Sequence, residues 1–464
     1  MYKIGLLLST ISAFLGRGLA IISGIILAKT LAPDLLGLFA SDQSLVLLGG
    51  GLINLGIGQG YRMIVSRSPQ LRDTYLLPTL FLRIVATVLH YIVLSFYLTK
   101  TDKVNIETMV VIIGTLLFST MELLKIDLEI SRHYKRVTVL TVGKGLVLLL
   151  SAVMCWLFGA NYSMLVWSYL VFVLLLLAVS FCMVKPAMVT LLSFNYLRLI
   201  KKSIPFAAGI LAYAFTSFWG LTYIREVLGP EQAGYYFLPF KVYQISLVIG
   251  MSVSGITLPL YHSLAANGDF STFAKIFNRI TIGVLFLVGP IVAVCFFVPD
   301  FLVKVFATEA YLSAVPIFPW IGFGIMFRLL AIPAGNILES VDKQWYRVLI
   351  QVISAVICAL GVVFIVPSRG IIGAAWVLFV VDLWTLLAYW CVSKYFATKV
   401  VALHKLFVPS LLLAVLLYLS TYLEISVWYK LILFCFLWSG YVLFGLQFKN
   451  EITTFLATYQ AKKG

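Results

Sequence analysis

Leu31-Ala32-Pro33-Asp34-Leu35-Leu36-Gly37 returns as Leu228-Gly229-Pro230-Glu231-Gln232-Ala233-Gly234, with Pro33 and Pro230 standing 197 residues apart. Both copies read small-Pro-acid-x-x-Gly and open a long apolar run. Proline cannot continue a preceding helix but suits the first turn of the next, and an acid there favours the positive end of the helix dipole. Each copy is therefore a capped helix start. Further pairs follow in the same order: Arg83-Ile84 with Arg279-Ile280, Leu128-Glu129 with Leu338-Glu339, and Arg136-Val137 with Arg347-Val348. The chain reads as a duplication, with lobes at 1–200 and 201–397 and a remainder at 398–464.

The repeated unit is a membrane one. Hydrophobic residues make up 62% of the chain and charged residues 11%, with a mean hydropathy of +1.05, which excludes a soluble globule. Windows of about 20 apolar residues predict an all-α polytopic protein of about 14 transmembrane helices. They fall near 4–28, 35–60, 76–98, 107–127, 137–158, 162–184, 203–226, 232–262, 278–299, 312–335, 346–366, 371–393, 407–424 and 429–448. The first is too long for a cleaved signal and lacks a small-residue cleavage site, so it is expected to be retained.

The net charge of +16 is topological. With the N-terminus inside, the inner connections and tail hold about 22 Lys and Arg, Arg62 and Arg72 among them; the outer side holds about seven, Arg225 among them. Both termini are thus expected in the cytoplasm, and nucleic acid is not an expected partner. Six helices per lobe start both lobes on the same side, as parallel repeats with the cargo site between them. The glycines of helix two (Gly37, Gly49, Gly50, Gly51, Gly56, Gly58, Gly60) and Pro239, Gly250, Gly255 and Pro259 of helix eight serve either bending or close packing.

These features resemble the polysaccharide-transporter branch of the multidrug/oligosaccharidyl-lipid/polysaccharide exporter superfamily, the lipid-linked oligosaccharide (O-antigen type, Wzx-like) flippases. The resemblance runs through Leu27 to Phe39, Gly229 to Tyr236, Phe306 to Pro316 and Pro367 to Ala375, and covers essentially the whole chain. It implies an inverted V of two six-helix bundles in the bacterial inner membrane. It also implies a non-enzymatic flippase moving undecaprenyl-pyrophosphate-linked oligosaccharide to the outer leaflet, with membrane lipids, a polysaccharide polymerase and chain-length machinery as partners. A lipid II-type flippase and a cation-coupled multidrug exporter are the alternatives within the superfamily. A membrane polymerase or ligase is disfavoured, because the longest outer loop, about 300–311, is too small for a catalytic domain.

Ionisable residues inside apolar segments are costly and mark functional candidates. Arg17, Lys241 and Arg328 sit near the middle of theirs, and Arg83 and Lys144 nearer the ends. Guanidinium grips phosphate with a planar fork of donors, so these cations are candidate pyrophosphate ligands. Arg17 has a second reading as the ion-pair partner of Asp42, Arg83 as an interfacial residue, and Lys144 as one that snorkels inward. Asp42 and Asp382 are candidates for coupling to H+ or Na+, or for salt bridges, with no partner evident for Asp382; no other cofactor is expected. Tyr213, Trp219, Tyr236, Tyr243 and Gln244 are candidate saccharide contacts, since aromatic faces stack on sugars. Tyr223 and Tyr235 suit an interfacial belt instead. The six cysteines and four histidines show no metal-ligand spacing, and no metal is expected.

Overall fold

The computed structural model describes residues 2–53, 56–101, 105–184, 196–396 and 426–440. With no water in a bilayer to satisfy backbone groups, each apolar segment must bond to itself, and helices are the result. In chain order they are α1 Tyr2–Thr30, α2 Pro33–Ile53, α3 Ile57–Arg67, α4 Arg72–Lys100, α5 Ile106–Ile130, α6 Tyr134–Leu157 and α7 Tyr162–Val184. Then follow α8 Tyr196–Leu228, α9 Pro230–Ala266, α10 Phe270–Phe297, α11 Pro299–Phe306, α12 Phe318–Ser340, α13 Gln344–Phe396 and α14 Val427–Gly440. Short 3-10 turns precede α4 and α12. Ten spans long and apolar enough to cross a membrane occur among the described residues, and no strand does. The segment expected at 407–424 lies outside the described residues.

The two Pro-acid motifs start α2 and α9, as expected. One other boundary differs from the hydropathy reading. The predicted helix at 35–60 is two helices: α2 ends at Ile53 and α3 restarts after Gly56, whose φ of 68° is left-handed. Glycine adopts that geometry without a Cβ penalty. The predicted pair 346–366 and 371–393 is present as two helical halves of α13, divided beyond Pro367 at Gly370, whose backbone is non-helical (φ 59°, ψ −148°). Side-chain caps close three helix starts: Asn105 accepts from the Thr108 amide of α5 (2.5 Å), Asn161 from the Met164 amide of α7 (3.3 Å), and Asp269 from the Thr272 amide of α10 (3.0 Å).

The chain divides into two compact units. Unit 1 comprises Met1–Lys241, Phe306–Tyr311 and Cys358–Ala374; unit 2 comprises Val242–Val305, Leu312–Ile357 and Ala375–Gly464. In unit 1, α1 packs on α6, α5 on α7, and α2 on both α8 and α5. Large apolar side chains point outward, as a lipid solvent requires: Phe81, Val88, Leu89, Ile92 and Phe96 form an exposed stripe on α4. The polar residues are the ones turned inward. In unit 2, α10 packs on α12 and α14. Gly289 of α10 leaves room for the Trp438 indole, which donates to the Leu285 carbonyl at 3.1 Å.

Candidate functional site

The candidate site residues sort into four surroundings. The first is a buried ion pair in unit 2. Asp382 of α13 (1% exposed) accepts a hydrogen bond from Tyr243 OH of α9 at 2.8 Å and one from Arg328 Nη1 of α12 at 3.5 Å. Gly324, one helical turn before Arg328, lies beside the same carboxylate, so a larger residue there would crowd it. The cation left unnamed for Asp382 by sequence reasoning is thus Arg328. Tyr243, a candidate sugar contact, is buried with its hydroxyl committed to that carboxylate.

The second lies in unit 1. Asp42 of α2 is fully buried and pairs with Arg225 of α8, which is 7% exposed. Two expectations are corrected here. Asp42 is not the ion-pair partner of Arg17, and Arg225 is not an outer-loop charge. Helix α8 continues to Leu228, which carries Arg225 into the packing against α2. Thr108 faces the Asp42 carboxylate as a hydrogen-bonding neighbour, and Tyr162 lies nearby, both buried.

The third group is tied into the wall of unit 1. Arg83 is 9% exposed, with Nη2 donating to the Ser119 carbonyl at 3.0 Å. That burial places it inside the bundle rather than at an interface. His90, two turns along the same face of α4, is also buried, and Gly49 packs over its ring. Lys144 is held by Glu122 of α5 and lies over the Phe118 ring at 4.9 Å. Lys125 also binds Glu122, at 3.3 Å. At the α3 end, Asp127 is saturated. It accepts from Tyr61 OH (2.6 Å) and from Arg72 Nε and Nη2 (2.9 and 2.6 Å), while Arg72 Nη2 also donates to the Val184 carbonyl (3.2 Å). This staple joins α3, α4, α5 and α7, and no spacing in the sequence signals it.

The fourth group holds the remaining candidate cations, Lys241 and Arg17. Lys241 lies 11 residues past the start of α9, about 17 Å along it at 1.5 Å per residue and so near mid-membrane. It is half-buried, sits over the Phe237 ring at 4.9 Å, and has no carboxylate in ion-pair contact among the described residues. Gln244 of the next turn is half-buried too. Arg17 of α1 is half-buried where α1 packs on α6.

The aromatic candidates divide. On α8, Phe215, Trp219 and Tyr223 form a ladder with centroid spacings of 5.8 and 5.5 Å. Trp219 Nε1 and Tyr223 OH each donate at 3.3 Å to α13 carbonyls, of Ala359 and Val363. The ladder therefore braces α13. Tyr213 is 53% exposed, whereas Tyr236 is buried and stacks on Phe240. Tyr235, expected in an interfacial belt, is buried with its hydroxyl on Glu231 at 2.6 Å. No cluster of His, Cys, Asp and Glu suited to a metal ion occurs among the described residues.

Known proteins share this architecture. The chain is similar to the lipid II flippase MurJ in its inward closed conformation, at TM-score 0.66 and 12% identity, covering 95% of this chain and 99% of that one. It is also similar to a multidrug resistance MATE family transporter of the MOP superfamily. The inward-facing form gives TM-score 0.63, 12% identity and coverage of 84% and 98%; the outward-facing form gives 0.58, 12%, 85% and 96%. At that identity the likeness shows the fold alone: a multi-pass transporter fold of the MurJ and MATE kind. No curated protein sequence matches. The model of the polysaccharide biosynthesis protein family matches residues 26–316, well over half of the chain, and the chain belongs to that family.

Proposed function

We propose that this protein is a flippase, without catalytic activity, for an undecaprenyl-pyrophosphate-linked oligosaccharide. It carries the head group from the cytoplasmic to the outer leaflet of the bacterial inner membrane by alternating access along a cationic path, with both termini cytoplasmic. Lys241 is the observation that carries this reading. A lysine near mid-membrane, with no carboxylate beside it among the described residues, is expensive to maintain unless an anion visits it. A pyrophosphate supplies that charge, and the polyprenyl tail stays in lipid while the head group crosses. Arg17 is the second cation proposed to meet the head group, and Gln244 a neighbouring saccharide contact.

The paired acids argue against a cationic drug as cargo. Asp42 and Asp382 are each engaged by an arginine, so neither is presented as a bare carboxylate. Lipid II is also a polyprenyl-pyrophosphate sugar, and the fold shared with MurJ suits it. The polysaccharide biosynthesis family match favours the polysaccharide precursor. Loss of the protein should cause a polyprenyl-linked saccharide to accumulate on the cytoplasmic leaflet; if none accumulates, the reading fails.

A further inference from the structure

The two copies of the repeated motif touch each other in unit 1. A Cβ on Gly37 would meet the Pro230 carbonyl and the Gly234 amide; a Cβ on Gly234 would meet Pro33 at its carbonyl and Cα. The contact is reciprocal, glycine of each copy on proline of the other, as a local two-fold demands. It also explains the acid in the motif. Two helix N-termini that meet bring like ends of their dipoles together, and Asp34 and Glu231 sit in the first turns to offset them. Tyr311 OH closes over the junction, donating to the Leu31 carbonyl at 3.0 Å, with Tyr235 edge-on to its ring.

We infer that this motif pair is a clasp that shuts the outer end of the transport path and parts when cargo leaves. Its direction rests on the flippase reading and on the charge count that puts these helix starts outside. The contact is backbone on backbone at two glycines, so a side chain at either position would hold the two helices apart. Asp42, nine residues below Pro33, is bound to Arg225, so an ion pair ties α2 to α8 just beneath the contact.

The test uses Ser41→Cys in a background with the native cysteines replaced. Ser41 lies one turn below Gly37 on the same face of α2 and is 1% exposed. In right-side-out membrane vesicles, an impermeant maleimide added outside should label the thiol introduced by Ser41→Cys at least about tenfold faster in Gly234→Leu, Gly37→Leu or Arg225→Ala than in the parent. Exchanging the charges, Asp42→Arg with Arg225→Asp, should restore protection. Gly24→Leu, which fills open space, and Gly16→Leu, which strikes the Thr141 carbonyl of α6, should label like the parent. Parent-like protection in all three clasp variants overturns the inference. So does labelling of Gly16→Leu as fast as Gly234→Leu, because protection would then report only general packing. No cargo is needed, so the outcome is independent of what the protein carries.

Discussion

Replacing Asp382 by Leu removes the acceptor of both the Tyr243 hydroxyl and Arg328, and takes the Asp382 charge away from a guanidinium that is 20% exposed within unit 2. Breaking a buried pair by removing one partner costs about 3–5 kcal/mol, most of it from the charge left behind. Adding Arg328→Met removes that charge while keeping a long straight side chain. The double variant should then recover most of that loss and lie about 1–2 kcal/mol below the parent, the size of a lost buried hydrogen bond. The two substitutions should therefore couple by about 2 kcal/mol in the stabilising direction. Chemical unfolding in mixed micelles, followed by tryptophan fluorescence, measures all three proteins. If Asp382→Leu lies within about 0.5 kcal/mol of the parent, or the double variant is no more stable than the single, the pair does not hold α12 to α13 and the reasoning fails.

Other substitutions separate structural from transport roles. Asp127→Ala should destabilise the protein by about 2–4 kcal/mol in the same unfolding assay, because it strips the Tyr61 hydroxyl of its acceptor and leaves Arg72 only Asp73 and the Val184 carbonyl. Arg83→Met should change stability by less than about 1 kcal/mol, since a buried arginine with one carbonyl acceptor gains little from its charge; a large loss would show an unseen partner. Gly289→Ala should cost about 1–3 kcal/mol by driving a methyl into the Trp438 indole, visible as a blue- or red-shifted tryptophan emission with earlier unfolding.

What the sequence makes legible follows from range. Helix existence is a local property: about 20 apolar residues in a row must span a membrane, and Pro33 and Pro230 do open their helices. The helix break is half legible, since the glycines around Gly56 signal freedom of the chain without saying which of them takes a left-handed φ. Partnerships across the fold are not legible. Arg328 and Asp382 are 54 residues apart, and Asp42 and Arg225 are 183 apart, so no periodicity connects them. Hydropathy misplaces Arg225 because it lies three residues from its helix end, where a loop charge and a buried one look alike. Lys241 stands out from sequence because its cost is intrinsic to its depth, and the structure adds only that no acid among the described residues neutralises it. The motif's mutual contact needs coordinates, although its duplication is visible in the chain.

The proposed path has an anionic polyprenyl-linked sugar crossing the bilayer through this protein and meeting Lys241 on the way. The direct measurement reconstitutes the purified chain in liposomes carrying a polyprenyl-pyrophosphate oligosaccharide, and follows its transfer between leaflets with an impermeant lectin. The wild-type protein should speed transfer over protein-free liposomes. Lys241→Ala should lower that rate at least about tenfold, the loss of one charge-assisted contact, and Lys241→Arg should keep much of it. Wild-type transfer no faster than in protein-free liposomes, or Lys241→Ala transfer equal to wild type, would contradict that path.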